Sequence, residues 1–322
     1  MNPTAPPATG VRTPWGDLPA HVREGVESAL GAAVADAVTQ RGGFSPGTAA
    51  RVRLADGRRA FVKAVGSAAN PQSPALHRAE ARNAAALPDS VPAPRLLASY
   101  DDGTWVALVF EDVDGRQPHV PWHADELGRV LAAVDALARV LTPAPVEAPP
   151  VGEAVAGMFR GWERLAASGA RDEERLDPWA RRHLPALAEL AAPWADFAGG
   201  DTLAHGDLRA DNMLLTADGG RVVFVDWPHA VRAAPWFDLV LMLPCVRAQG
   251  GPDPQDVFLA QPAAREADPR GVTATLAGFA GYLVRHSLRP DPPGLPTLRA
   301  FQAAQGAAAL EWLRRRLGPA LP

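Results

Sequence analysis

The stretch HGDLRADN at residues 205–212, followed by the apolar run VVFVD at residues 222–226, decides how this sequence is interpreted. Asp207 and Asn212 lie five residues apart on one polar segment, and Asp226 follows fourteen residues after Asn212. The apolar residues around this segment predict two short strands with a loop between them. Strand ends and loops can bring such polar groups to one point, so the three side chains are expected to converge.

These three residue types suit phosphoryl transfer. A carboxylate can accept or orient the proton of an acceptor hydroxyl, while an Asn oxygen and a second carboxylate hold Mg²⁺ on the phosphates. Hard oxygen ligands suit Mg²⁺, which keeps several of its waters. The alternative is a polar turn in which Asp and Asn serve turn chemistry. The HGD triplet alone fits either interpretation, whereas the whole set favours the chemistry.

At these residues the chain resembles the aminoglycoside phosphotransferase family, a branch of the protein-kinase-like fold that includes choline-kinase-like enzymes. Members read His-Gly-Asp, four residues, Asn, and then an apolar strand that ends in Asp-Trp or Asp-Phe, which Asp226-Trp227 fits. The resemblance extends over roughly residues 35–315. It implies that Asp207 is the catalytic base, that Asn212 and Asp226 are the magnesium ligands, and that ATP and Mg²⁺ are the cofactors.

Lys63 is the only lysine of the chain and lies on the apolar run Ala60–Val65. A lysine on a strand beside the nucleotide can pair with the α- and β-phosphates, and a compact ammonium fits where a guanidinium fork does not. Glu80, on the predicted helix His77–Ala86, is the best candidate for its partner carboxylate. The alternative is a surface lysine whose stem covers apolar neighbours.

A glycine-rich segment precedes Lys63 and lies between two predicted strands. Backbone amides in such a loop can hold phosphate oxygens, and the candidates are Gly43, Ser45, Gly47 and Thr48. A plain hairpin is the alternative. The segment does not match the Walker pattern, which argues against a P-loop NTPase.

The run at residues 109–115 ends the last predicted strand of the first lobe. By resemblance it is the hinge whose backbone bonds the adenine, with Glu111 and Val113 as the contacts. An exposed connector between domains is the alternative. Farther along, Asp238 is expected to brace the catalytic loop, a structural role.

The order of strands and helices predicts an α+β architecture with two lobes and a cleft between them, and the resemblance implies that this is the protein-kinase-like fold. The first lobe is expected to be an antiparallel sheet with one helix, and the second mainly helical, with helical structure over Val155–Ala167 and Pro178–Ala192. The predicted organisation is a first lobe at residues 1–113 with a loose tail at 1–16, a second lobe at 114–322, a catalytic loop at 205–212, a metal strand at 221–226 and a helical acceptor-binding insert at about 120–199.

Composition excludes several other classes. The net charge is −4, and no basic block of the kind that binds nucleic acid is present. Cys245 is the only cysteine, so no internal disulfide can form. Residues 1–12 show no apolar signal region, and no apolar stretch approaches the roughly 18 residues of a membrane span. We therefore expect a cytoplasmic protein, monomer or homodimer, without membrane or nucleic-acid partners.

The acceptor is expected to be a small molecule with a hydroxyl group, aminoglycoside-like or another metabolite. Residues 120–199 hold 12 acids and 8 arginines, which accounts for the whole negative excess. Polycationic aminoglycosides need acidic sites, but Arg209, Asp211 and Pro228-His229 depart from the pattern of many antibiotic kinases. Two alternatives are a nucleotide-binding regulatory pseudokinase with little turnover and a protein kinase. The intact set of reactive residues argues against the first, and the lack of an Ala-Pro-Glu segment against the second.

Overall fold

A computed structural model describes residues 4–68, 70–169 and 174–318. Its first lobe is built on a five-stranded antiparallel sheet of order β1-β2-β3-β5-β4. The strands are β1 (Val34–Thr39), β2 (Thr48–Leu54), β3 (Arg59–Gly66), β4 (Leu96–Asp101) and β5 (Trp105–Glu111). The expected antiparallel sheet is therefore present.

Two helices cover opposite faces of this sheet: α1 (Ala20–Leu30) and α2 (Ser73–Ala86). The faces follow from the two-residue period of a strand, because successive side chains of β5 point to opposite sides. Val109 packs in the cluster that contains the apolar residues of α1, whereas Leu108 packs in the cluster that contains Ala84 of α2. Helix α2 thus lies against the strand β3 that carries Lys63.

The second lobe is mainly helical, as predicted. Its helices are α3 (Ala124–Val140), α4 (Val151–Ala154), α5 (Ala156–Phe159), α6 (Gly161–Ala166), α7 (Pro178–Arg182), α8 (Leu184–Ala191), α9 (Trp194–Ala198), α10 (Phe237–Ala248), α11 (Pro254–Ala260), α12 (Pro269–Ser287) and α13 (Leu298–Leu317). Helix α10 is buried almost throughout, and α12 and α13 pack against each other beside it. No helix of the described ranges is both long and apolar enough to cross a membrane.

Five short strands form two small sheets on the side of this lobe that faces the first. They are β6 (Gly115–Arg116), β7 (Thr202–Ala204), β8 (Met213–Thr216), β9 (Val222–Phe224) and β10 (Val231–Ala233). Strand β8 pairs with both β6 and β9, and β7 pairs with β10. The loops between these strands carry the HGDLRADN segment and Asp226.

Two details of the second lobe differ from the sequence-based expectation. The helical range expected over Val155–Ala167 begins one residue later, at Ala156, and is broken at Arg160, whose backbone angles leave the helical region. The helix expected over Pro178–Ala192 is interrupted at His183. Pro185 explains the second break, because it has no N–H to bond the oxygen of Arg181 four residues earlier and its ring clashes with that carbonyl group.

The prediction of a loose tail at residues 1–16 is wrong for residues 4–16, while residues 1–3 lie outside the described chain. The N–H of Ala5 donates to the oxygen of Ala248 at 2.9 Å, and that of Val11 donates to Gly294 at 2.8 Å. The N–H of Thr13 donates to Gly47 at 3.0 Å in the first lobe. Backbone hydrogen bonds to both lobes therefore hold this N-terminal segment in place.

Candidate active site

A cavity of about 370 Å³ lies between the two lobes. It brings together nine of the eleven residues predicted from the sequence. These nine are Gly43, Ser45, Thr48, Lys63, Glu80, Glu111, Val113, Asn212 and Asp226. The other two lie beside it: Gly47 follows Ser45 in the glycine-rich loop, and Asp207 is hydrogen-bonded to Asn212.

Lys63 joins the two lobes through two carboxylates. Its Nζ lies 2.6 Å from Glu80 Oε1 on α2 and 2.6 Å from Asp226 Oδ1 in the second lobe. The Lys63 side chain is 15% exposed and that of Glu80 only 4%. Burial alone would lower the pKa of Lys63, but the charges of Asp226 and Glu80 raise it overall. The lone lysine is therefore charged and paired, not a surface residue.

The two carboxylates respond to this environment in opposite directions. Burial raises the pKa of Glu80 to about 7, with the charge of Lys63 opposing the shift and that of Asp226 adding to it. Burial also tends to raise the pKa of Asp226, but the charge of Lys63 and its hydrogen bond lower it overall. Asp226 is the more exposed of the two at 32%. It is thus the carboxylate that remains ionised beside the cavity.

Asp226 is also held in an unusual backbone conformation. Its φ of 71° makes it the one non-glycine residue with a positive φ in the described chain. The N–H of the preceding Val225 donates to the backbone oxygen of Asn212 at 3.0 Å. Such conformations cost free energy and persist where the surroundings determine them. The fold therefore fixes Asp226 directly beside Asn212.

The HGDLRADN segment turns sharply between β7 and β8. A single 3₁₀ turn, Ala210–Asn212, brings Asn212 back onto Asp207. The Nδ2 of Asn212 donates to the backbone oxygen of Asp207 at 2.8 Å and to its Oδ2 at 3.2 Å. Burial raises the pKa of Asp207, against the opposing charge of Arg209. Asp207 therefore combines fixed geometry with increased basicity.

Asp238 braces this segment from below, which is the structural role expected of it. Its two carboxylate oxygens accept the N–H groups of His205 at 2.7 Å and Gly206 at 2.8 Å. Gly206 has a φ of 79°, and a Cβ there would lie 2.4 Å from the oxygen of His229. Burial lowers the pKa of His205 to about 4, so its ring is neutral. The ring donates from Nε2 to the backbone oxygen of Val225 at 3.0 Å and accepts the N–H of Asp207 at Nδ1.

Sequence reasoning missed the role of Arg209. Its guanidinium contacts the Asp207 carboxylate and makes two hydrogen bonds of 3.0 Å to Asp211. The ring of Phe44, at the tip of the glycine-rich loop, lies 5.4 Å from the guanidinium carbon. The Asp-x-Arg-x-Asp spacing was a visible signal, because it puts a cation between two acids on one short loop.

Arg12 was also missed, and no local pattern marks it. Its guanidinium donates to the backbone oxygens of Gly42 and Ser45, inside the glycine-rich loop. Gly43 and Gly47 have φ values of 90° and 92°, and a Cβ on Gly47 would lie 2.3 Å from the oxygen of Ala64. The loop therefore needs glycine at Gly47, and in this structure its carbonyl groups surround a cation.

The predicted hinge residues lie where β5 ends and the chain crosses to the second lobe. Glu111 pairs with Arg95 through Oε1 and Nε at 2.6 Å. The oxygen of Val113 accepts from Arg51 at 2.9 Å, while its N–H donates to no residue in the described part of the chain. That N–H is thus available to a ligand in the cavity.

Comparison with known proteins agrees with the family and the fold. The model of the phosphotransferase enzyme family matches residues 41–274. Among solved structures, a thermostable mutant of aminoglycoside phosphotransferase APH(4)-Ia, in a ternary complex with ADP and hygromycin B, superposes with a TM-score of 0.59 at 14% identity, covering 91% of this chain and 98% of that one. A ternary complex of the same enzyme with AMP-PNP and hygromycin B superposes with a TM-score of 0.59 at 14% identity. It covers 93% of this chain and 100% of that one. No curated protein sequence matches. The structural likeness confirms the two-lobed, kinase-like fold.

Proposed function

This chain belongs to the phosphotransferase enzyme family, and we propose on that premise that it transfers the γ-phosphate of ATP, with Mg²⁺, to a hydroxyl group of a small molecule. The observation that carries the proposal is the convergence of Lys63, Asn212 and Asp226 on one cavity, with Asp207 hydrogen-bonded to Asn212 at its edge. These residues come from both lobes and lie up to 163 positions apart. Turn chemistry does not account for such a long-range arrangement.

The first lobe supplies the proposed nucleotide contacts. Lys63, positioned by Glu80, would pair with the α- and β-phosphates. The loop residues Gly43, Ser45, Gly47 and Thr48 would hold phosphate oxygens, and Glu111 and Val113 would bond the adenine through their backbone. The free N–H of Val113 supports the last assignment.

Two oxygens fit the proposed Mg²⁺ site. Asn212 uses its Nδ2 to bind Asp207, and Asp226 uses its Oδ1 to bind Lys63. The Oδ1 of Asn212 and the Oδ2 of Asp226 accept no hydrogen bond from any residue of the described ranges. Hard oxygen donors of this kind suit Mg²⁺, which would neutralise phosphate charge when bound.

Asp207 is the proposed base. It would take the proton of the acceptor hydroxyl as that oxygen bonds to the γ-phosphorus and ADP leaves with the bridging oxygen. Its raised pKa favours this proton transfer, and the bonds from Asn212 fix its orientation. Arg209 contacts Oδ1 of this carboxylate and Asn212 contacts Oδ2, so the acceptor hydroxyl would use one of the remaining lone pairs.

The acceptor need not be a polycation. Five of the ten acids in the described part of the insert at residues 120–199 pair with arginines. Two of these arginines lie outside the insert: Arg116 pairs with Glu126, and Arg314 pairs with Asp177. These pairs reduce the negative field that would attract an aminoglycoside. We therefore extend the proposed acceptors to neutral and amine-bearing hydroxyl metabolites. Because ATP is the donor, we place the enzyme in the cytoplasm, as a monomer or homodimer.

The test is a screen of hydroxyl metabolites and antibiotics with the purified protein, Mg²⁺ and ATP, in which ADP release is measured. We expect at least one compound to raise ADP release above the background hydrolysis rate, and Asp207→Asn to abolish the increase. If ATP binds but none of the tested acceptors raises ADP release, the result would instead support a regulatory nucleotide-binding protein. Absence of nucleotide binding would contradict the proposal altogether.

A further inference from the structure

A second group of potential metal ligands lies at the start of α3, and none of its members lines the cavity. His119, His123 and Glu126 each offer one ligand atom, and these atoms all lie within 4.8 Å of one another. We propose that these three side chains form a binding site for one divalent transition-metal ion, Zn²⁺ in the first instance. The site is independent of the proposed phosphotransfer.

The two imidazoles are already side by side. The rings of His119 and His123 stack with their centroids 4.3 Å apart. His119 Nδ1 lies 2.8 Å from Glu126 Oε1. His123 directly precedes α3, and its side chain makes no capping hydrogen bond to the helix. The helix therefore does not need this imidazole, which leaves the ring available as a ligand.

Glu126 is the fixed member of the group. It is only 3% exposed, and its Oε2 accepts the backbone N–H of His119 at 2.7 Å. Arg116 donates to its Oε1 at 2.5 Å, from a side chain that is about half exposed. Hydrogen bonds from neighbouring groups orient metal ligands in this way. A bound ion would share Oε1 with Arg116, whose exposed guanidinium can move outward.

The donor set selects the class of metal. Imidazole nitrogen with carboxylate oxygen suits Zn²⁺ and related ions, at about 2.0–2.2 Å, whereas Mg²⁺ prefers oxygen alone. His119 and His123 are exposed, so water can complete a four-coordinate site and the ion has an open path. An ionised Glu126 only accepts hydrogen bonds, so Nδ1 of His119 now carries the hydrogen; on metal binding that hydrogen moves through water to Nε2.

The experiment is a Zn²⁺ titration of the full chain against a chromophoric chelator, with millimolar Mg²⁺ present to occupy oxygen-only sites. Wild type is compared with His119→Asn and His123→Asn. His21→Asn is the matched control, because His21 is another exposed histidine that faces a single carboxylate, Asp102, at 3.2 Å. Thermal melts without metal show whether each variant keeps its fold.

We expect wild type and His21→Asn to bind one equivalent of Zn²⁺ with the same affinity. Loss of a direct ligand should weaken this equivalent at least about tenfold in His119→Asn and in His123→Asn, because even outer-shell changes cost ~10–100-fold. Co²⁺ should give the visible absorption of a four-coordinate site in wild type and in His21→Asn, but not in His119→Asn or His123→Asn. Unchanged binding in both variants, or no Zn²⁺ bound by wild type, would overturn the proposal.

Discussion

Replacing Lys63 by methionine tests the electrostatic link between the lobes. The substitution removes the charge and keeps an unbranched side chain that is shorter by one atom. Glu80 and Asp226 then lose the ammonium that lies 2.6 Å from each of them. Because Glu80 is almost completely buried and Asp226 is about one-third exposed, Glu80 should bear most of the cost. We expect Lys63→Met to be destabilised, and more strongly at higher pH.

The magnitude follows from the pKa of Glu80. In the wild type it is raised from 4.5 to about 7, so the folded state binds the proton more tightly than the unfolded state does. Stability contributed by the protonated form is therefore lost as the pH rises from about 4.5 to 7, at about 1.4 kcal/mol per pH unit. Removing the charge of Lys63 raises this pKa further. In Lys63→Met the loss continues beyond pH 7, which adds about 1.4 kcal/mol to the destabilisation by pH 8.

The assay is urea denaturation at pH 6 and pH 8, with the free energy of unfolding obtained by linear extrapolation. The matched control is Lys63→Met combined with Glu80→Gln, in which no buried carboxylate remains to ionise at this position. We expect the extra penalty at pH 8 in Lys63→Met and none in the double variant. An equal penalty at both pH values in Lys63→Met would refute the assignment of a buried, lysine-dependent Glu80.

Three further predictions concern catalysis. ATP should raise the melting temperature clearly with Mg²⁺ and only weakly without it, because Asn212 and Asp226 reach the phosphates through the metal; equal shifts in a titration with and without Mg²⁺ would contradict this. Asp207→Asn should keep Mg²⁺-ATP binding but lower the transfer rate roughly 10²-fold, whereas Asp226→Asn should weaken both binding and transfer. Calorimetry of nucleotide binding and steady-state rates distinguish the two variants. Similar losses of binding and rate in both would disprove the division of roles. Lys63→Arg should lower transfer by at least about tenfold, since a guanidinium is larger and spreads its charge; unchanged rates would show that the lysine is incidental.

The reactive set could be predicted because its chemistry is visible at short range. Asp207 and Asn212 share one loop, and Asp226 ends the following apolar run, so residue type and spacing were sufficient. The strands of the first lobe could be predicted for a similar reason, since turn residues such as Asp56-Gly57 delimit runs of strand-forming residues. The assigned roles of these residues remain predictions for the experiments above.

The long-range contacts could not be predicted. Arg12 reaches the glycine-rich loop some thirty positions away, and nothing near Arg12 in the sequence indicates a partner. The direct pairing of Lys63 with Asp226 spans 163 positions and depends on how the lobes meet. Arg209 is a short-range case: the Asp-x-Arg-x-Asp spacing was visible, but Arg209 was noticed only as a departure from the usual pattern.

The N-terminal segment has a consequence for the motion of the lobes. Val11 donates its N–H to Gly294 in the second lobe and accepts the N–H of Gly47 in the first lobe, and Thr13 donates to Gly47 as well, so at most one residue separates the anchors to the two lobes. Two residues of extended chain span at most about 7 Å. The edge of the cleft beside the glycine-rich loop can therefore separate by only a few ångströms before one anchor breaks. Amide protons of Val11 and Thr13 would then exchange with solvent at the frequency of wide opening, which makes them natural reporters of how often the cleft releases a nucleotide.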